Sequence, residues 1–86
     1  MAVRVVWGNR ALPDLAELVD RDRRRARLLV DTVERMGKLG WQFMGRRTGD
    51  GLLYFPVAPF GVFYRFRDGE LRVVRVVDAR VLARRP

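Results

Sequence analysis

Neither cysteine nor histidine occurs among the 86 residues. Without cysteine there is no disulfide framework and no thiolate metal site. Without histidine the chain lacks the usual general base near neutral pH and the commonest metal ligand. A zinc centre and a Ser-His-Asp arrangement are thereby excluded, and no metal or other cofactor is expected. No apolar run approaches the ~20 residues that span a bilayer. The first residues lack a charged-then-apolar signal pattern, so cytoplasmic residence and no membrane partner are expected. Lysine is nearly missing too, with Lys38 standing alone.

What is present is arginine. Lys+Arg is 18 against 10 for Asp+Glu, a net charge of +8, and all the basic residues but Lys38 are Arg. Arginine keeps its charge and grips carboxylate or phosphate with two parallel hydrogen bonds. The balance therefore favours a polyanionic partner, nucleic acid or an acidic protein, over mere solubility. A hydrophobic fraction of 49% is that of a folded chain. The length allows one domain, residues 1–86, with one modest core.

"VRVVW", residues 3–7, is β-branched and aromatic and reads as a first strand. Leu12, Leu15, Leu18 and Val19 then fall at helical spacing. Asn9 is the expected N-cap of this short helix, Pro13 falls in its first turn, and its end is expected near Asp20. A longer helix follows, with Ala26, Leu29, Val30, Val33 and Met36 in one apolar stripe and Gly37 and Gly40 as candidate terminators. Residues 21–27 hold five Arg and one Asp, either a solvated face or an anion-binding patch. Thr48-Gly49-Asp50-Gly51 marks a turn. "LLYFPV" is a strand that Pro56 assigns to an edge or a strand end. The last strand should end near Val77, leaving residues 78–86 as a basic, mobile tail. The order is β-α-α-β-β-β. The fold expected is α+β, a small antiparallel sheet with an N-terminal two-helix hairpin packed on one face.

"VFYRFRDGELRVVRV", residues 62–76, reads as a hairpin turning at Asp68-Gly69. Counting outward pairs Arg67 with Glu70, Phe66 with Leu71, and Arg65 with Arg72. Alternation assigns Val62, Tyr64, Phe66, Leu71, Val73, Arg75 and Val77 to the core face. Phe63, Arg65, Arg67, Glu70, Arg72, Val74 and Val76 fall on the open face. Like charges opposed on a hairpin are destabilising, so Arg65 and Arg72 read as a cradle for an anion: a carboxylate of a bound peptide, or a phosphate. Trp41, Phe43, Phe60 and Phe63 offer faces on which bases could stack. Trp41 and Phe43 are expected in the core, as is Trp7, and Phe63 is the candidate for stacking.

"VVWGNRALPDLAEL", "RARLLVDTVERM" and "GLLYFPVAPFGVFYRFRDGELRVVRVVDAR" occur in that order and cover nearly the whole chain. In order and spacing they resemble the RelE/ParE superfamily of toxins from type II toxin–antitoxin modules. The resemblance implies a cognate acidic antitoxin that wraps and neutralises the basic protein. It implies one of two targets, DNA gyrase for ParE-like members or the ribosome and its messenger RNA for RelE-like nucleases. The nuclease members carry an arginine directly after the aromatic that opens the third strand, and here that place is Gly61. A basic or His-bearing motif after the last strand survives only as Asp78-Ala79-Arg80. The resemblance therefore points to ParE-like action. The alternatives are a nuclease using Arg46, Arg47, Arg65, Arg72 and Arg80, or an inactive relative that binds nucleic acid or protein. With Arg67, these arginines are the expected anion-, nucleic-acid- or antitoxin-binding residues.

Overall fold

The computed structural model describes residues 3–40, 45–49 and 51–83, with side chains as far as Val81. Trp41 and Phe43, expected in the core, lie outside the described residues.

Strand β1 (Arg4–Trp7) leads into helices α1 (Ala11–Arg21) and α2 (Arg23–Leu39). Strands β2 (Arg46–Arg47), β3 (Leu53–Val57), β4 (Phe60–Arg67) and β5 (Glu70–Asp78) follow, and a short helix α3 (Ala79–Ala83) ends the described chain. The sheet order is β1-β5-β4-β3-β2. The expected α+β architecture holds, with two refinements. A two-residue strand, β2, precedes β3, and the sheet is antiparallel except for one pair, since β1 runs parallel to β5. Parallel neighbours need a long crossover, and everything between Trp7 and Glu70 supplies it.

Asp22 alone separates the two helices and caps the second, its carboxylate accepting from Arg25 N at 3.1 Å. The first helix has no such cap. Asn9 is not at the cap position; Arg10 is, without a side-chain hydrogen bond. The orphan donors are met by backbone instead, with Ala11 N and Leu12 N both donating to Gly8 O. The stripe on α1 is narrower than its spacing suggests. Leu18 and Ala11 are buried and Leu15 packs beside them, but Leu12 and Val19 are exposed. On α2 the stripe is as expected, with Ala26, Leu29, Val33 and Met36 buried and Val30 half-buried. Gly40 ends that helix. Gly37 lies within it, buried against β1, where a Cβ would fall 2.6 Å from Val5 Cγ2.

Pro56 is exposed, and among the described residues β2 pairs with Tyr54 and Leu53, not with Pro56. The Asp68-Gly69 turn has positive φ at both central residues, 52° and 74°, as a type I′ hairpin demands. It sets Arg67 opposite Glu70, Phe66 opposite Leu71, and Arg65 opposite Arg72. Further out the expected register fails. Tyr64 faces Val73 but Phe63 faces Arg75, so Val74 is an extra residue in β5. An extra residue moves every later side chain to the other face. Val76 is accordingly buried opposite Val62, and Arg75, expected in the core, stands opposite Phe63. The core consists of Phe60, Val62, Tyr64, Leu71, Val73 and Val76 from the sheet under Ala11, Leu18, Ala26, Leu29, Val33 and Met36 of the helices. The Tyr64 hydroxyl accepts from Gly45 N at 2.7 Å, which satisfies its buried oxygen and anchors the approach to β2. Burial raises its pKa, and that hydrogen bond offsets part of the rise.

Of the segment expected as a basic tail, Asp78 closes β5 and Ala79–Ala83 form α3. Ala79 N donates to Pro59 O at 2.9 Å, so the segment is hydrogen-bonded back to the β3–β4 turn.

Candidate anion-binding site

The face of the sheet away from the helices carries Gly61, Phe63, Arg65 and Arg67 of β4 by alternation. Arg72 and Glu70 of β5 stand opposite Arg65 and Arg67. At the turn end this face forms a groove of about 480 Å³, closed on one side by the β1–α1 loop. Gly8, Asn9 and Arg10 of that loop join Arg65, Arg67, Asp68, Glu70, Arg72, Val73 and Val74. The loop reaches the site because Trp7 pairs with Val73 and Gly8 N donates to Val73 O at 2.9 Å.

The charges in the groove are unevenly matched. Glu70 stands between two arginines, with one oxygen 3.4 Å from Arg4 and the other 4.0 Å from Arg72. Arg67 stands opposite Glu70 but makes no ion pair with it; among the described residues its nearest carboxylate is that of Asp68, 3.8 Å away, with both side chains largely in water. Arg65 is half-buried, and its Nε is covered without a hydrogen-bond partner. Among the described residues no acid pairs with this side chain, and packing holds it.

The other end of the hairpin is a matched cluster. The Asp14 carboxylate accepts from Arg75 Nε at 2.8 Å, from Arg75 Nη2 at 3.2 Å and from Val76 N at 3.0 Å. β1 has ended by this level, so Asp14 supplies an acceptor to an edge N–H of β5. The pair raises the pKa of Arg75, the hydrogen bond with Asp14 being the largest cause. Arg80 grips Asp78 with two bonds of 3.0 and 2.9 Å and lies 5.8 Å from the centre of the Phe60 ring. The Arg80 hydrogen bond holds the Asp78 carboxyl down from 3.8 to about 2. Glu17 with Arg21 and Asp22 with Arg25 complete this end.

The expected site residues thus divide. Arg65, Arg67 and Arg72 come together in the groove. Arg80 belongs to the matched cluster. Arg46 and Arg47 are exposed on β2, at the far edge of the sheet from β1 and outside the groove. Phe63 is half-buried against Tyr54, ring centres 4.9 Å apart, and Arg46 stands opposite that tyrosine. Phe60, an aromatic face in the sequence, is core. Arg10 and Asn9 were not anticipated in the site, because only the pairing of β1 with β5 brings them there. The Asp14–Arg75 pair was missed for a related reason: its partners are 61 residues apart.

Gly61 is occupied space. A Cβ there would collide with the Tyr54 ring at Cε1, Cζ and Oη. Tyr54 pairs with Phe63 and leans diagonally over Gly61, covering the place where the nuclease members of the resembled superfamily carry an arginine.

No family model matches the sequence, and no curated protein matches it. Among solved structures, the chain is similar to one from the chromosomal ParDE TA system of P. aeruginosa. The TM-score is 0.72 at 18% identity, over 88% of this chain and 95% of that one. The chain therefore shares the fold of that ParDE-system structure, in line with the α+β fold expected from its motifs.

Proposed function

We propose that this protein is the toxin of a type II toxin–antitoxin module, neutralised by a cognate acidic antitoxin and ParE-like in its action. It would inhibit growth by binding a macromolecular target, with DNA gyrase the expected one. The observation that carries this reading is the likeness to a chain of a ParDE system over 88% of the length. The net charge of +8 supports an acidic partner independently.

The covered Gly61 favours binding over cleavage. Phosphodiester cleavage needs cations aimed at the scissile phosphate and a group that can take a proton. Tyr54 fills the space an arginine would need at Gly61. Arg80 is engaged by Asp78, Glu70 is shared by Arg4 and Arg72, and arginine does not readily give up its proton.

Controlled induction is expected to arrest growth and to inhibit supercoiling by purified gyrase, while primer extension on translated message finds no new ends. Message cut at discrete sites would move the protein to the nuclease branch. Full growth and uninhibited gyrase at saturating protein would leave only the inactive relative.

A further inference from the structure

We propose that the groove at the turn end of the β4–β5 hairpin binds a terminal phosphate group. The groove is separate from the β2–β3 region and Gly61, and the inference does not depend on the toxin reading.

Charge is the first argument. Four guanidinium groups line the groove, from Arg10, Arg65, Arg67 and Arg72, against the carboxylates of Asp68 and Glu70. Glu70 is also drawn toward Arg4 from outside. An excess of about two positive charges matches a phosphomonoester, which carries about −1.5 to −2 at neutral pH. A carboxylate has one charge and is met by a single arginine fork. The groove therefore fits phosphate better than the antitoxin carboxylate that the sequence also suggested.

Preorganisation is the second. Arg65 and Arg72 are directly opposed, so their Cβ atoms stand about 4.5–5.5 Å apart. In the free protein they repel; an anion between them reverses the sign. Arg65 is held by packing, with its Nε covered and bonded to nothing. Among the described residues no acid pairs with it, and the arginines of the opposite end of the hairpin show what such competition looks like.

Size is the third. At about 480 Å³ the groove exceeds a bare ion and falls within the range of small-molecule sites. Val74, the extra residue of β5, is half-buried and gives it an apolar lining beside the charges. The fitting ligand is a phosphate carrying a larger group, either a free nucleotide or the 5′ end of a nucleic acid.

Calorimetric titration of the whole protein with AMP and with adenosine tests the site, using Arg65→Gln, Arg72→Gln and, as a charge control on the exposed face of α2, Arg27→Gln. AMP is expected to bind and adenosine not. Each groove substitution should weaken AMP by about tenfold or more while Arg27→Gln stays within about twofold. Thermal melts verify that each variant is folded, and the exposed Arg72 gives a readout if Arg65→Gln is not. A 5′-phosphorylated hexanucleotide that binds more tightly than AMP, with its 5′-hydroxyl form inactive, identifies a nucleic-acid end; equal affinity identifies a free nucleotide. Three results overturn the proposal: adenosine binding as well as AMP, Arg27→Gln losing as much as Arg72→Gln, or a glutamate-rich peptide outcompeting AMP for the groove.

Discussion

The two ends of the β4–β5 hairpin are both rich in arginine and use it in opposite ways. At the bulge end, Arg75 and Arg80 each lie within 3 Å of a carboxylate oxygen, from Asp14 and Asp78. At the turn end, no contact to Arg65, Arg67 or Arg72 is shorter than the 3.8 Å from Arg67 to Asp68 among the ion pairs described. The first arrangement ties α1 and α3 to the sheet. The second leaves charge available to something outside the chain. Net charge alone does not separate these roles; the distance from each arginine to its nearest acid does.

The contrast can be broken first at Asp14. Asp14→Ala removes three hydrogen bonds and strands Arg75, which should lower the unfolding free energy by about 2 kcal/mol after allowance for the partial exposure of Arg75. Urea denaturation measures this, and an unchanged midpoint would erase the distinction between the ends. A smaller effect belongs to Asp78. Its folded pKa, about 2, lies below the unfolded 3.8. Its contribution is therefore complete above the unfolded value and lost as pH falls toward about 2. The denaturation midpoint should drop across that window, and Asp78→Asn should flatten the drop. The smallest effect belongs to the turn end. Arg65→Gln or Arg72→Gln relieves a repulsion and should leave stability unchanged or raise it by a few tenths of a kcal/mol. A loss of about 1 kcal/mol in either melt would mean that these arginines hold the fold together after all.

Local signals carried much of the fold and half of the site. Asp68-Gly69 can form one kind of turn, so the opposition of Arg65 and Arg72 was legible from the sequence. The bulge was not, because a run such as Val73-Val74-Arg75-Val76 looks the same whether or not one residue is extra. The placement of Arg75 in the core and of Val76 on the open face failed there and nowhere nearer the turn. Arg10 was illegible for a different reason: nothing near it in sequence announces that β1 will lie beside β5. The helical stripe was read well on α2, which is covered, and too broadly on α1, where Leu12 and Val19 face water. The expected N-cap failed because Gly8 O, fixed by the hydrogen bond of Gly8 N to Val73, already serves the first donors.

The parallel pairing of β1 with β5 also sets an order of events in time. Residues 4–7 leave the ribosome 66 residues ahead of their partners, residues 70–73. At roughly 5–20 residues per second, the first strand waits for seconds with one side of its backbone unanswered. The helices and the β3–β4 hairpin can form meanwhile from neighbouring contacts, but β1 joins the sheet only once residues 70–73 have been made. The Arg10 loop takes its place beside Arg72 in that same step, so the groove cannot exist before β5 has been made.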